Sequence, residues 1–322
     1  MGTRRLIYLN QNESPIPPPP HVIEAAKASL EKINRYPDPR LKEHVTELAS
    51  EYIGVDPEHV VLIPGADTIV DMTSRALKTR EYIIPEPSFY DIILGSFEWN
   101  DVRTIRYPLD EILGKLENKG STGWSSCGLI DNPNNPLGIL VFTGKPPTGI
   151  PLIVDEAYYE YSGQTLAPHV REEENIAVIR TFSKAFSLAG LRIAAAVFPS
   201  EEASRLRRDP LIYRLTTPSL EALKAALEDP AYVKENVRVV EREKKRVAQR
   251  LRELGFKVYP SYTNFLSVET GINNITRILA SRGVIVKSLE KWIKPGMIRV
   301  TIGLPSENDF LLSVMEEIIS SD

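Results

Sequence analysis

The chain has 322 residues, 42% hydrophobic and 25% charged, an ordinary globular balance that supports one large or two modest domains, each with its own core. Its net charge of −4 gives no reason to expect nucleic acid or an anionic membrane as a partner, and the basic cluster at 238–252 is interleaved with glutamates and apolar residues, like a solvated helix face. Cys127 is the only cysteine and the four histidines are scattered, so neither an intrachain disulfide nor a metal site is expected.

The start, MGTRRLIYLNQNESP, has no apolar core of the kind a leader carries, and no stretch is long and apolar enough to span a bilayer, so a cytoplasmic location is expected. Four prolines, Pro17 to Pro20, favour an extended arm before a helix over 21–34. RYPDP breaks that helix, and apolar spacing at Leu41, Val45, Leu48, Ala49 and Tyr52 predicts a second over 41–53. A strand over 60–63 leads into Pro64-Gly65-Ala66-Asp67 and an amphipathic helix to Leu77. The same strand–turn–helix order recurs at 82–84, PEPS and a helix through Gly95, and β-like runs follow at 129–130, 152–154, 177–179 and 193–198. Strands alternating with helices predict an α/β fold whose mostly parallel central sheet has helices on both faces. Beyond Pro218 one long charged helix is expected over 219–254, ended by Gly255. Strands at 257–259, 265–268, 284–286 and 297–300, with a helix over 275–282, predict a smaller α+β domain. The division expected is 36–215 for the large domain, and 1–35 with 216–322 for the small one.

RTFSKAFSLAGLR is the most informative segment. It places Lys184 among small hydroxyl residues just after a strand, where ligands bind in open α/β sheets, with Arg192 close behind. A surface lysine is the commoner explanation for any one such residue. The rest of the chain supplies the other groups that a pyridoxal phosphate site needs. Gly65-Ala66-Asp67 opens a helix and offers N–H groups to an anion, although a plain turn capped by Asp67 has the same look. Thr181, Ser183 and Arg192 can add hydroxyl and guanidinium contacts to a phosphate. Asp155, at the end of an apolar run, can pair with a pyridine nitrogen, and Tyr158 three residues on can reach a ring oxygen; a helix-capping aspartate is the plainer alternative. Asn135 lies in DNPNNPLG, where two Asn-Pro steps force a rigid turn that can present an amide. Phe89 is a candidate to stack on the ring, or equally a core aromatic.

Taken in order, PGAD, PEPSFY, NPNNPLG, VDEAYYEY, RTFSKAFSLAGLR and MIRVTIG resemble the class I/II aminotransferases of pyridoxal phosphate fold type I over nearly the whole chain. RYPDP, DEAYYEYSG and RTFSKAFSLAGLR are most similar to the histidinol-phosphate aminotransferase branch. The resemblance implies that Lys184 holds the cofactor covalently and then moves the substrate proton. It implies that Asp155 pairs with the ring nitrogen, that Tyr158 and Asn135 bond the ring oxygen, and that Ala66, Asp67, Ser183 and Arg192 surround the phosphate. It further implies a homodimer in which Tyr36 reaches the neighbouring subunit's cofactor. Arg299 matches the family's arginine for the substrate α-carboxylate, and Asn12 in NQNESP joins it as a substrate-binding candidate. Lys287 stands where the family commonly has an arginine, keeping charge but losing the fork geometry. LRIAAAV and the short stretch from Gly138 to Asp155 also depart from the family pattern.

The reaction so implied is a ping-pong amino transfer between histidinol phosphate and 2-oxoglutarate in histidine biosynthesis. The alternatives are aspartate, aromatic or broad specificity, or decarboxylation of threonine phosphate. A cofactor-binding regulator without turnover is disfavoured, because the arm before Tyr36 is too short for a DNA-binding module.

Overall fold

The computed structural model describes residues 6–91, 94–120, 123–146, 148–170 and 175–320. Among the described residues seven strands form the larger sheet, in the order Val60–Ile63, Ala194–Val197, Ile176–Thr181, Leu152–Asp155, Ser126–Asp131, Glu81–Glu86 and Arg103–Pro108. Only Ala194–Val197 runs antiparallel to its neighbours. The other strands therefore point their carboxyl ends to one side, and their connections deliver loops to a common rim. Asp131, Asp155 and Thr181 are the last residues of three adjacent strands, with Asp131 and Asp155 in register.

Both faces of this sheet are covered. One apolar cluster takes Leu152, Val154 and Val178 from one face; the other takes Ile153, Ala177 and Ile179, as the alternation of a strand requires. Helix Pro39–Ile53 shows how the sequence fixes these layers. The Asp38 side chain accepts from Arg40 N–H at 2.9 Å, Pro39 opens the first turn, and Gly54 closes the last at φ 83°. Its Val45, Ala49 and Ile53 lie four residues apart and face the core.

A second, five-stranded sheet has the order Ile7–Leu9, Val284–Ser288, Met297–Thr301, Phe265–Glu269 and Lys257–Val258. The N-terminal arm thus contributes an edge strand, parallel to Val284–Ser288, and a third apolar cluster lies under this sheet. Helices Pro20–Ser29 and Thr217–Glu228 join the cluster of the larger sheet instead, through Val22, Leu220, Leu223 and Ala226.

The single helix expected over 219–254 is two helices, Thr217–Glu228 and Ala231–Glu253. Pro230 lacks an N–H and drives the preceding Asp229 out of the helical region, to φ −138° and ψ 71°. The expected helix through Gly95 runs instead from Leu94 to Trp99, and residues 92–93 lie outside the described residues. Strand Arg103–Pro108 and helix Pro305–Ser320 carry no earlier expectation.

Beneath the rim, Arg180 and Glu156 form an ion pair at 2.8 Å with side chains only 3% and 2% exposed. Arg180 also donates to Thr165 Oγ1 at 2.8 Å and lies over the Tyr159 ring at 3.4 Å. Removing one partner of such a pair leaves a buried charge without its counterion. Glu156→Gln is therefore expected to lower the unfolding free energy by roughly 3–5 kcal/mol in urea denaturation; a loss under about 1 kcal/mol would show that the pair is not needed.

Candidate active site

The carboxyl rim of the larger sheet, the arm at 10–13 and strands Val284–Ser288 and Met297–Thr301 enclose a cavity of about 560 Å³. That volume suits a small cofactor with its substrate. Every residue singled out in the sequence lines it except Gly65 and Tyr36.

At one end lies an anion cradle. Gly65 N–H donates to Ile63 O and Thr68 N–H to Gly65 O, while among the described residues the N–H groups of Ala66 and Asp67 have no protein acceptor. Gly65 has φ 100°, and a Cβ there would stand 2.5 Å from Arg192 Nη2, so only glycine lets the guanidinium approach. The Asp67 carboxylate is already ion-paired with Arg192, so its backbone is what Asp67 offers an anion. Thr181 Oγ1 and Ser183 Oγ are 3.0 Å apart at the end of the neighbouring strand.

Across the floor stand two buried carboxylates. Asp155 accepts from Tyr90 Oη at 3.1 Å and from Ala157 N–H at 3.0 Å. Burial pushes its carboxyl up to about 6, against the pull of the Tyr90 hydrogen bond. Burial likewise pushes Asp131 up to about 7, against the backbone N–H groups of Asn135 and Phe89 and the Ser88 hydroxyl.

Lys184 is half-buried and donates to the carbonyl of Gln11 at 3.1 Å. Burial, aided by the Arg299 charge, pushes its ammonium down to about 8. A neutral amine is therefore reached near physiological pH, as a nucleophilic or proton-moving lysine requires.

Asn135 accepts at Oδ1 from Arg299 Nη1, which leaves its Nδ2 as a donor. Tyr158 Oη accepts from Asn12 Nδ2 at 2.8 Å, so its own proton is likewise left to donate. Burial pushes this phenol up to about 12, so it remains protonated. Asn12 is buried at φ 54°, with its N–H on Thr301 Oγ1 at 2.9 Å and its Oδ1 accepting from Thr301 at 3.1 Å. Its side chain is thus committed to tying the arm to Tyr158 and the smaller sheet. Phe89 is partly buried, edge-on to Tyr90 at 5.6 Å.

On the smaller sheet, Arg299 is buried, donates to Asn10 O at 2.8 Å and keeps a buried Nε with no protein partner among the described residues. Lys287 stands beside it in register on the adjacent strand, with Nζ 5.0 Å from the centre of the Trp292 ring. Burial and the Arg299 charge both hold the Lys287 ammonium below its usual value. Two close cations with little local countercharge make a site for an anion.

Sequence reasoning missed Asp131, Tyr90 and the carbonyls of Asn10 and Gln11. Asp131 carried the same signal as Asp155, an acid closing an apolar strand run. Tyr36 is 91% exposed and does not line the cavity of its own chain.

The cavity meets the chemical demands of pyridoxal phosphate: a cradle of N–H groups and an arginine at one end, an anionic floor, two donors on one side and a lysine with a depressed pKa. A family model described as aminotransferase class I and II matches residues 4–313. Histidinol-phosphate aminotransferase 1 of Archaeoglobus fulgidus is 34% identical over 98% of this chain and 99% of its own. The enzyme of the same name from Bacillus anthracis is 32% identical over 99% and 90%. A solved histidinol-phosphate aminotransferase from Sinorhizobium meliloti, in complex with pyridoxal-5'-phosphate, superposes with a TM-score of 0.84 at 22% identity, covering 99% of this chain and 92% of that one. With a family match over nearly its full length and a cavity that suits the cofactor, the chain belongs to the class I and II aminotransferases and is a pyridoxal phosphate-dependent transaminase.

Proposed function

We propose that the protein transfers the amino group of histidinol phosphate to 2-oxoglutarate, in histidine biosynthesis. The observation that carries this reading is the Arg299–Lys287 pair that the smaller sheet contributes to the cavity. One cation pair can take either the phosphate of one substrate or a carboxylate of the other, as a ping-pong exchange at one site requires. Relatives named histidinol-phosphate aminotransferase, at 34% and 32% identity over nearly the whole chain, support the choice of amino donor.

When bound, pyridoxal phosphate supplies an aldehyde for covalent attachment and a ring that withdraws electrons from the substrate's Cα. The remaining tasks fall to the chain. Ala66 and Asp67 N–H, Thr181, Ser183 and Arg192 hold the phosphate, with Gly65 keeping the space for Arg192. Asp155 would pair with the ring nitrogen, Asn135 Nδ2 and Tyr158 Oη would donate to the ring oxygen, and Phe89 would cover the ring. Lys184 Nζ would be the point of covalent attachment and, as a neutral amine, would hold and move the proton of the substrate's Cα. Arg299 and Lys287 bind the anionic end of the substrate. Asn12, assigned above to the substrate, acts in this reading by fixing Tyr158. The exposed Tyr36 of each protomer reaches the phosphate end of its partner's site in a homodimer. The smaller lobe comprises the arm's edge strand and the chain from about 231, with the two helices that pack on the larger core counted in the larger lobe.

A half-reaction panel tests the substrate. Holoenzyme is mixed singly with glutamate, histidinol phosphate, aspartate, phenylalanine and threonine phosphate, and scored for pyridoxamine phosphate and for carbon dioxide. Pyridoxamine phosphate from glutamate and histidinol phosphate at comparable rates is expected. None from histidinol phosphate would rule that substrate out, and carbon dioxide from threonine phosphate would point to decarboxylation.

A further inference from the structure

Asp131 stands in the cavity floor, 3% exposed, and every hydrogen-bonding neighbour its carboxylate has among the described residues is a donor. Its Oδ2 accepts from Phe89 N–H at 3.1 Å and from Asn135 N–H at 2.7 Å. Its Oδ1 accepts from Ser88 Oγ at 2.9 Å and Asn134 Nδ2 at 3.3 Å. These donors come from two loops far apart in sequence, one after Glu81–Glu86 and one after Ser126–Asp131. One loop carries Phe89, the other Asn135. Asn134 Nδ2 also ties the two loops by donating to Pro87 O at 2.9 Å, and Asn134 is itself a ligand of Asp131.

We infer that Asp131 is a positioning residue: one buried carboxylate that clamps the Phe89 and Asn135 loops together, and so sets the spacing between the aromatic cover and the amide donor of the cofactor ring. This rests on the reading that Phe89 and Asn135 contact the ring. A carboxylate suits the task and an amide does not. Four donors converge on two oxygens, and replacing either oxygen by NH₂ turns an attraction into a donor–donor clash. The cost of burying the charge is partly offset by charge-assisted hydrogen bonds, two of them from backbone N–H groups that otherwise have no acceptor. Asp131 therefore links local loop geometry to the ring's fit without touching substrate.

The test uses apo protein titrated with pyridoxal phosphate and reads three things: the cofactor Kd, the circular dichroism induced in the bound cofactor's visible band, and the melting temperature of the apo protein. Asp131→Asn is expected to weaken cofactor binding by about 10- to 100-fold, the scale of losing charge-assisted bonds, and to diminish the induced band. Ser88→Ala, which removes one donor and leaves the carboxylate, is expected to act in the same direction by a few-fold. If Asp131→Asn melts too early to titrate, Ser88→Ala decides. Wild-type Kd and induced band in whichever variant is read overturn the inference. Asn135→Ala and Phe89→Ala serve as the control for the underlying reading. If they also leave Kd and the band unchanged, the ring contacts are misassigned; if they alter both while Asp131→Asn does not, only the role of Asp131 fails.

Discussion

Lys184→Ala is expected to abolish covalent attachment of the cofactor and to reduce transamination by at least about 10³-fold, within the range a positioned acid–base group supplies and compounded by loss of the nucleophile. Borohydride treatment followed by mass spectrometry of the peptide containing 184 reads the first effect, and single-turnover formation of pyridoxamine phosphate reads the second. Wild-type labelling of another lysine in the variant would sink the assignment. The physical basis is the pocket around Nζ. Its chief perturbation is burial, next the Arg299 charge, and together they bring the ammonium from 10.5 to about 8. The sign follows directly. Below pH 8 the folded apo protein holds a proton that burial disfavours; above it the amine is free. In the unfolded chain the proton stays on until about 10.5, so apo stability gains from this group as pH rises from 8 toward 10.5. The rate at which apo protein captures pyridoxal phosphate should therefore climb through pH 8 and level off above it, and stopped-flow absorbance measures this. A profile still rising at pH 10 would mean an ordinary surface lysine.

The same lysine shows what a sequence can convey. Lys184, Asp155 and Thr181 were legible because each closes or follows an apolar run, and strand ends in a parallel sheet face one rim. Alternating strands and helices gave the larger sheet for the same reason. Asp131 closes a run in the same way, yet DNPNNPLG drew attention to its loop and away from the acid that holds it. Strand Arg103–Pro108 is an edge strand with Arg103, Thr104 and Arg106 in six residues, so it lacks the apolar signature of its neighbours. The break at Pro230 was readable from Asp-Pro alone; the strong charge periodicity on either side concealed it. What no local pattern holds is pairing at long range. Asn12 meets Tyr158 across 146 residues, and Arg299 meets Asn135 across 164, because two sheets and an arm close on one cavity. That closure changes roles. It turns Asn12 from a free amide into the group that orients Tyr158, and it leaves Asn135 with one defined donor.

Asp155→Asn is expected to lower kcat by roughly 10²- to 10³-fold, the scale of removing one preorganised electrostatic group, with a smaller change in KM. Asparagine keeps the volume and can still accept from Tyr90 Oη or Ala157 N–H, so the site should stay folded while its charge is lost. Burial holds the Asp155 carboxyl at about 6, above the 3.8 of an exposed aspartate. The folded state thus favours the proton between these values, and the cost of the buried charge is fully present only above pH 6. A cationic ring nitrogen placed against that charge relieves the cost. Cofactor affinity should then tighten as pH rises through 6 more steeply in wild type than in Asp155→Asn, where no charge appears. Comparing the two slopes cancels the ionisation of the cofactor's own phosphate, which both proteins share. Parallel slopes from pH 5 to 7, with kcat within a few-fold of wild type, would remove Asp155 from the ring. The loss in Asp155→Asn should also exceed that in Tyr90→Phe, because Tyr90 supplies one hydrogen bond to the carboxylate whereas Asp155 supplies the charge itself.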